Sequence, residues 1–269
     1  MIIIKSINRL KKEVDFKANV GFVPTMGSLH RGHLSLIESS KKKANKTIVS
    51  IFVNPSQFNS KKDFKKYPRN LSKDINILKK LKVDYLFLPT KNEIFRNKKD
   101  LKIKLQKNQK ILCAKFRKGH FEGVLGVINQ LLKVVKAKYI FLGEKDYQQV
   151  YLIKNFIRNK FKTKVISCAT VRNINYFAYS SRNLLLKKND IKNATLIINY
   201  IKNFRNSIIK KKINFKELIN VKKKILNYCQ KIDYIEIRNK KDLSESFNRK
   251  NFKIFIAFYI NNIRLIDNF

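Results

Sequence analysis

Apolar positions recur along this chain with two periods, and the way the periods alternate changes part-way through. Short runs rich in β-branched and aromatic residues come first: VGFVPT (20–25), TIVSIFVN (47–54), DYLFLP (84–89), YIFL (139–142) and KVISCA (164–169). Each is of strand length and bounded by polar or turn residues, as expected of a buried strand. Between them the spacing is helical. Leu34, Leu36 and Ile37 mark a helix over 30–43, and Leu71, Ile75, Leu78 and Leu81 another over 70–81. From Gly123 onward, Val124, Val127, Ile128, Leu131, Leu132 and Val135 form an i, i+3, i+4, i+7 stripe. A further helix is predicted over 146–160. Strands alternating with helices predict βαβ units and a Rossmann-like, doubly wound parallel sheet. Ligands of such sheets bind at the carboxyl ends of the strands.

After about residue 171 the order becomes helix, helix, strand, strand, strand. The helices are predicted over 190–204 and 215–230. The strands are IDYIEI (232–237), FKIFIAFYI (252–260) and IRLID (263–267). The expected fold class is therefore α/β, with a Rossmann-like nucleotide-binding domain over 1–170 and a smaller α+β lid domain over 171–269. A length of 269 residues suits two domains.

Composition changes this picture little. Hydrophobic residues make up 44% of the chain, enough to fill cores. No run approaches the roughly 18 apolar residues of a membrane helix, and the opening MIII is too short for a signal-peptide core. Cys113, Cys168 and Cys229 form no disulfide or zinc pattern. A cytoplasmic protein with no membrane partner is expected. The net charge of +43 raises nucleic-acid binding as a possibility. Compositional drift explains more, because Lys, Asn and Ile are abundant while Gly numbers 7 and Trp 0, the usage of AT-rich codons. The lysines are also spread along the whole chain. No specific nucleic-acid partner is expected, only salt-sensitive adhesion to polyanions.

Chemistry concentrates at 23–33, VPTMGSLHRGH, where two of the three histidines stand three residues apart. Strand, glycine turn and helix place His30 and His33 on one face of a helix's first turn. Free backbone N–H groups and the positive end of the helix dipole are expected to point the same way. Two imidazoles there suit a phosphate under attack, where removing one preorganised donor costs about 2.7–4 kcal/mol. A lone histidine at a helix start is ordinarily just a satisfied polar residue; the HxGH pair after a strand and glycine turn is harder to explain that way.

VPTMGSLHRGH resembles the HxGH signature of the nucleotidyltransferases related to class I aminoacyl-tRNA synthetases. PTMGSLHRGH, IFVNPSQF (51–58), YPR (67–69), GHFEGV (119–124), GEKDYQQ (143–149), SSRN (180–183) and RLID (264–267), in that order, further resemble the pantoate–β-alanine ligase family. The resemblance runs through almost the whole chain. It implies ATP and Mg²⁺, with pantoate and β-alanine condensed through a pantoyl-adenylate, and a homodimer. It also implies roles. His30 and His33 bind phosphates, with His33 the general acid, and Lys145 and Arg182 complete the catalytic set. Met26, Gly27, Ser28, Leu29, Arg31 and Gly32 join the histidines around ATP. So do Gly143, Glu144, Lys145 and Asp146, and later Val171, Tyr179, Ser180, Ser181 and Arg182. Gln57, Gln149, Pro24, Thr25, Met26, Tyr67 and Arg117 line the pantoate and β-alanine site. Asp74 matches an acidic position linked to the metal, next to Lys73 where relatives often carry a second acid. Closing the small domain over ATP is expected to deliver Arg182.

The match loosens ahead of SSRN, in RNINYFAYSSRN. Asn173 and Asn175 stand at places usually acidic, and Tyr176 where glycine is usual. A tyrosine at positive φ is strained, so this loop is expected to take a different shape. Tyr179 replaces a common methionine, and Phe95-Arg96 a common Tyr-Pro. Two other functions compete: an HxGH nucleotidyltransferase with another acceptor, and a basic nucleic-acid-binding protein without catalysis. NPSQF and GEKDYQQ argue against the first, and the histidine pair against the second.

Overall fold

The computed structural model describes residues 1–95, 103–210, 215–245 and 249–269. Two compact units divide the chain, Met1–Thr170 and Val171–Phe269.

In the first unit β1 (Ile2–Ile4) and α1 (Ile7–Glu13) precede β2 (Val20–Thr25), α2 (Arg31–Lys43) and β3 (Lys46–Ile51). Then come α3 (Lys61–Lys66), α4 (Leu71–Lys80), β4 (Tyr85–Phe87), α5 (Lys91–Ile94) and α6 (Cys113–Phe116). The unit ends with α7 (His120–Val134), β5 (Tyr139–Gly143), α8 (Tyr147–Ile157) and β6 (Lys164–Cys168). Six strands pair, all in parallel, in the order β1-β4-β3-β2-β5-β6. The doubly wound α/β fold expected from the periodicity is the one observed. Helices leave β2 toward β3 on one side and reach β5 on the other, so the switch point lies at the carboxyl ends of β2 and β5. Nucleotide ligands of open α/β sheets bind at that crevice. Val23, Ile37, Val49, Leu78, Leu86 and Phe141 share one core cluster in which each is fully buried.

Local differences have local causes. β3 ends at Ile51, three residues short of the predicted run, because Asn54 caps a 3₁₀ turn over Pro55–Gln57. α7 starts at His120, before the apolar stripe, after Gly119 at φ +79°. β1 and α1 carry too little periodicity to be seen in sequence, since α1 buries only Leu10.

The second unit contains α9 (Lys188–Lys210), α10 (Phe215–Leu226) and an antiparallel sheet of β7 (Lys231–Asn239), β8 (Phe252–Ile260) and β9 (Ile263–Asn268). Its core joins Ala194, Ile197, Ile198 and Ile201 of α9 to Ile254, Ile256 and Phe258 of β8. The loop before SSRN corrects one expectation. Tyr176 keeps the left-handed conformation, at φ +65°. That costs a non-glycine residue roughly 1–2 kcal/mol. The ring recovers it through contacts. Tyr176 stacks on Phe269 with centroids 6.3 Å apart, Arg172 lies 4.9 Å from its centroid, and the Lys202 ammonium 3.9 Å. Each such cation–π contact is worth about 0.5–1 kcal/mol at an exposed site. Arg172 is itself fixed by two 2.8 Å hydrogen bonds to the Asp267 carboxylate of RLID. Arg96, in the other atypical stretch, lies outside the described residues.

Candidate active site

The turn after β2 reverses the chain with two consecutive left-handed residues, Gly27 at φ +76° and Ser28 at φ +52°. Asp74 of α4 holds it there. Its Oδ2 accepts the Ser28 N–H and its Oδ1 the Leu29 N–H, both at 2.8 Å, and its side chain is buried. A carboxylate accepting two backbone N–H groups is a strong, charge-assisted brace. Asp74, matched in sequence to a metal-linked acid, thus spends both oxygens on the turn. Thr25, expected against substrate, is likewise turned inward. Its hydroxyl donates to the Ser50 carbonyl at 2.8 Å and accepts the Gly27 N–H at 3.2 Å.

His30 is the N-cap of α2, and the two histidines cap each other. His30 Nδ1 accepts the Gly32 N–H at 3.2 Å, while His33 Nδ1 accepts the His30 N–H at 3.3 Å. Their rings lie 4.0 Å apart. This is a capping box built from imidazoles. It corrects the expectation of free backbone donors, because the N–H groups of Gly27, Ser28, Leu29, His30 and Gly32 all have acceptors within the turn or from Asp74. With these N–H groups taken, the histidine side chains are donors the turn offers to an anion. Each Nδ1 is an acceptor, so each neutral ring carries its proton on Nε2.

The rings also stay neutral. Burial, then the positive charge of Lys145, lowers the His30 pKa to about 4, against a smaller opposing effect of Asp146. Burial, then His30 and Lys145, lowers that of His33 to about 3. Desolvation disfavours the charged imidazolium, and a nearby cation does the same. Lys145 follows β5, so the cation and the histidines come from the two strands at the switch point. Its Nζ lies 3.7 Å from Asp146 Oδ1. At Gly143, which ends β5, a Cβ would meet no atom within 4 Å, which leaves the strand end open to close approach.

Gln57 sits on the 3₁₀ turn after β3. Asn54 caps that turn, accepting the Ser56 N–H at 3.2 Å, and donates to Gln57 Oε1 at 3.3 Å and to the Gly123 carbonyl at 3.0 Å. Gln57 Nε2 reaches Met26 Sδ at 2.9 Å, joining the turn to the HxGH segment. Tyr67 packs edge-on against Phe58, centroids 5.5 Å apart. Arg117 is held by protein groups. Nε donates to Asn59 Oδ1 at 3.1 Å, Nη2 to the Gln57 carbonyl at 3.3 Å, and Nη1 lies 2.9 Å from His120 Nε2. Of the two glutamines in DYQQ, Gln148 is buried and donates to the Ile111 carbonyl at 2.7 Å, while Gln149 is half-buried on the first turn of α8. Pro24, next to last in β2, is half-buried, and Arg31 is exposed. Sequence reading missed the tasks of Asp74, Asn54 and His120. Asn54 before Pro-Ser was a capping signal; the other two act on residues far away in sequence.

In the second unit, Ser180 caps a 3₁₀ segment, Ser181–Leu185, by accepting the Arg182 N–H at 3.3 Å. Ser181 is buried, and the Tyr179 N–H donates to the Val171 carbonyl at 3.1 Å. Among the described residues no three His, Cys, Asp or Glu side chains gather as a metal site, and no helix is long and apolar enough to cross a membrane.

A parallel α/β sheet carries the HxGH turn and a lysine at its switch point, where open α/β sheets bind nucleotides. Comparison with known proteins sharpens this. The family model for pantoate-beta-alanine ligase matches residues 2–269. A pantothenate synthetase of Francisella philomiragia is 41% identical over 274 residues, covering 100% of this chain and 97% of the relative. One from Francisella tularensis subsp. novicida is 41% identical over 268 residues, covering 99% and 95%. The crystal structure of the Francisella tularensis pantoate-beta-alanine ligase, complexed with beta-gamma ATP and beta-alanine, superposes with a TM-score of 0.86 at 39% identity, covering 100% of this chain and 97% of that one. The Thermus thermophilus pantothenate synthetase gives 0.91 at 29% identity, covering 100% and 99%. The chain belongs to the pantoate–β-alanine ligase family.

Proposed function

We propose that this protein condenses pantoate with β-alanine at the expense of ATP, through a pantoyl-adenylate. The observation that carries the reading is the imidazole capping box at the switch point, facing the charge of Lys145. In the first step a pantoate carboxylate oxygen attacks the α-phosphorus. The bond to the bridging oxygen breaks, and pyrophosphate leaves with the electron pair. The charge that grows on the phosphates is met by Nε2–H of His30 and His33 and by Lys145; His33, the general acid by resemblance, is neutral here and so donates a hydrogen bond to the leaving phosphate while keeping its proton. Because both rings are held neutral, each acts as a fixed hydrogen-bond donor that needs no reorganisation. Magnesium would be held mainly by the ATP phosphates and would help neutralise their charge; Asp74, at the position matched to a metal-linked acid, braces the turn.

In the second step the β-alanine amine attacks the acyl carbon, the acyl C–O bond breaks with its electron pair leaving on the AMP phosphate, and the nitrogen's proton passes to that phosphate or to water. Gln57, with its donor and its acceptor, reads the hydroxyl and carboxylate of pantoate, and Gln149 does the same from α8. Met26, Pro24 and Tyr67 line the same pocket. Gly143 admits the nucleotide backbone, with Glu144 and Asp146 beside it. The family resemblance assigns Val171, Tyr179, Ser180, Ser181 and Arg182 of the second unit to ATP and the departing pyrophosphate, and a homodimer to the protein; the cysteine pattern suits the cytoplasm. Sedimentation velocity tests the dimer.

Purified protein with MgATP and pantoate should release pyrophosphate, and adding β-alanine should yield AMP and pantothenate in equal amounts. Pyrophosphate release that ignores pantoate would reject the reading.

A further inference from the structure

The third histidine lies outside the phosphate site and is buried against the turn that carries Gln57. His120 opens α7, and its Nδ1 lies 2.7 Å from the Gln57 main-chain carbonyl. A carbonyl oxygen only accepts, so Nδ1 carries the proton. Nε2 is then an acceptor, and the Arg117 Nη1 2.9 Å away donates to it. Arg117 Nη2 reaches the same Gln57 carbonyl at 3.3 Å, so one oxygen is clasped from two directions. The helix comes equally close at Gly123. A Cβ there would lie 2.5 Å from the Ser56 carbonyl oxygen and 2.9 Å from the Gln57 nitrogen. The Gly123 carbonyl meanwhile accepts from Asn54, the cap of the turn.

We propose that His120, locked as its Nδ1–H tautomer by Arg117, is a positioning residue that fixes the main chain of Gln57 and so aims its amide at pantoate. This rests on the reading above that Gln57 recognises pantoate. The imidazole touches no reacting atom in this scheme. It determines where the Gln57 side chain starts, and a displacement of the turn moves the amide with it. Arg117, assigned to the substrate side by resemblance, works here through His120.

The test is pantoate-dependent ATP–pyrophosphate exchange, with KM measured separately for pantoate and for ATP. His120→Ala should raise the pantoate KM about five- to tenfold, the worth of one buried hydrogen bond, and leave the ATP KM within about twofold. His120→Asn should restore most of the loss, because its Nδ2–H occupies the place of Nδ1–H. His120→Gln should not, because its amide reaches the other ring nitrogen. On a Gln57→Ala background, His120→Ala should add nothing further to the pantoate KM, since coupled residues are not additive. Equal rises in both KM values, or an Asn variant no better than Ala, would overturn the proposal. An additive double variant would do the same. Should His120→Ala fail to fold, His120→Asn and Arg117→Gln carry the same comparison of the two KM values. Gln57→Ala separates the two readings. If it leaves the pantoate KM unchanged, the role of Gln57 fails and this proposal with it. If it raises that KM while His120→Ala does not, only the positioning role fails.

Discussion

The turn after β2 and the loop ahead of Ser180 use the same backbone device and stabilise it by different means. Both place a residue in the left-handed region. After β2 the residues are Gly27 and Ser28, held from outside by the Asp74 carboxylate, which accepts the N–H groups of Ser28 and Leu29. Ahead of Ser180 the residue is Tyr176, held by its own ring between Phe269, Arg172 and Lys202. The first solution fixes the backbone to within a hydrogen bond and leaves the side chains of His30 and His33 for chemistry. The second fixes a side chain and lets the backbone follow. A conformation can thus survive the loss of the residue type that usually permits it, provided contacts worth about as much as the strain replace it.

Four experiments break or sharpen that contrast. His33→Ala should lower pantoate-dependent pyrophosphate release about 10²- to 10³-fold, the effect of removing one preorganised donor. Its denaturation midpoint should stay close to that of the parent, and undiminished turnover would remove His33 from the mechanism. Asp74→Ala leaves two buried N–H groups without acceptors and should cost about 3 kcal/mol in denaturant unfolding. Asp74→Asn, which keeps one acceptor, should lie between. A midpoint unmoved by Asp74→Ala would mean that the turn holds itself.

The third experiment varies pH. The histidines titrate near 6.5 when unfolded, but at about 4 and about 3 in the fold. Between those values the unfolded chain binds protons that the folded chain refuses, so stability rises with pH across that window and falls on acidification below about 6.5. A His30→Gln, His33→Gln double variant should show a shallower dependence than the parent between pH 6.5 and 4. Parallel curves would contradict the depressed pKa values. The smallest effect belongs to the second loop. Tyr176→Gly relieves the strain and loses the ring, so its unfolding free energy should change by less than about 1 kcal/mol. Tyr176→Ala, which keeps the strain without the ring, should be the less stable of the two by thermal melting.

Much of the fold and part of the site are legible in the sequence alone. The sheet can be read because its strands are buried runs separated by helical stripes. The histidines, Gln57 and Lys145 can be read because they lie in short contiguous motifs. What cannot be read is what holds them. Asp74 acts on Ser28 across 46 positions and His120 on Gln57 across 63. No local pattern encodes such a pairing, because it exists only once α4 and α7 have packed. Thr25 and Arg117 show the same limit from the other side. Thr25 lies in a motif and Arg117 two residues ahead of one, and both are bonded to the scaffold. Tyr176 departs from expectation because φ preference is a property of the isolated residue, whereas its contact with Phe269 spans the whole second unit.

The close approach at Gly123 bears on how this sequence can change. A composition this rich in lysine and asparagine retains 7 glycines in 269 residues. At position 123 even a methyl group would collide with the main chain of Ser56 and Gln57. Mutational pressure toward other residues meets a steric floor there, and α7 can shift along its axis only if the 51–58 segment shifts with it.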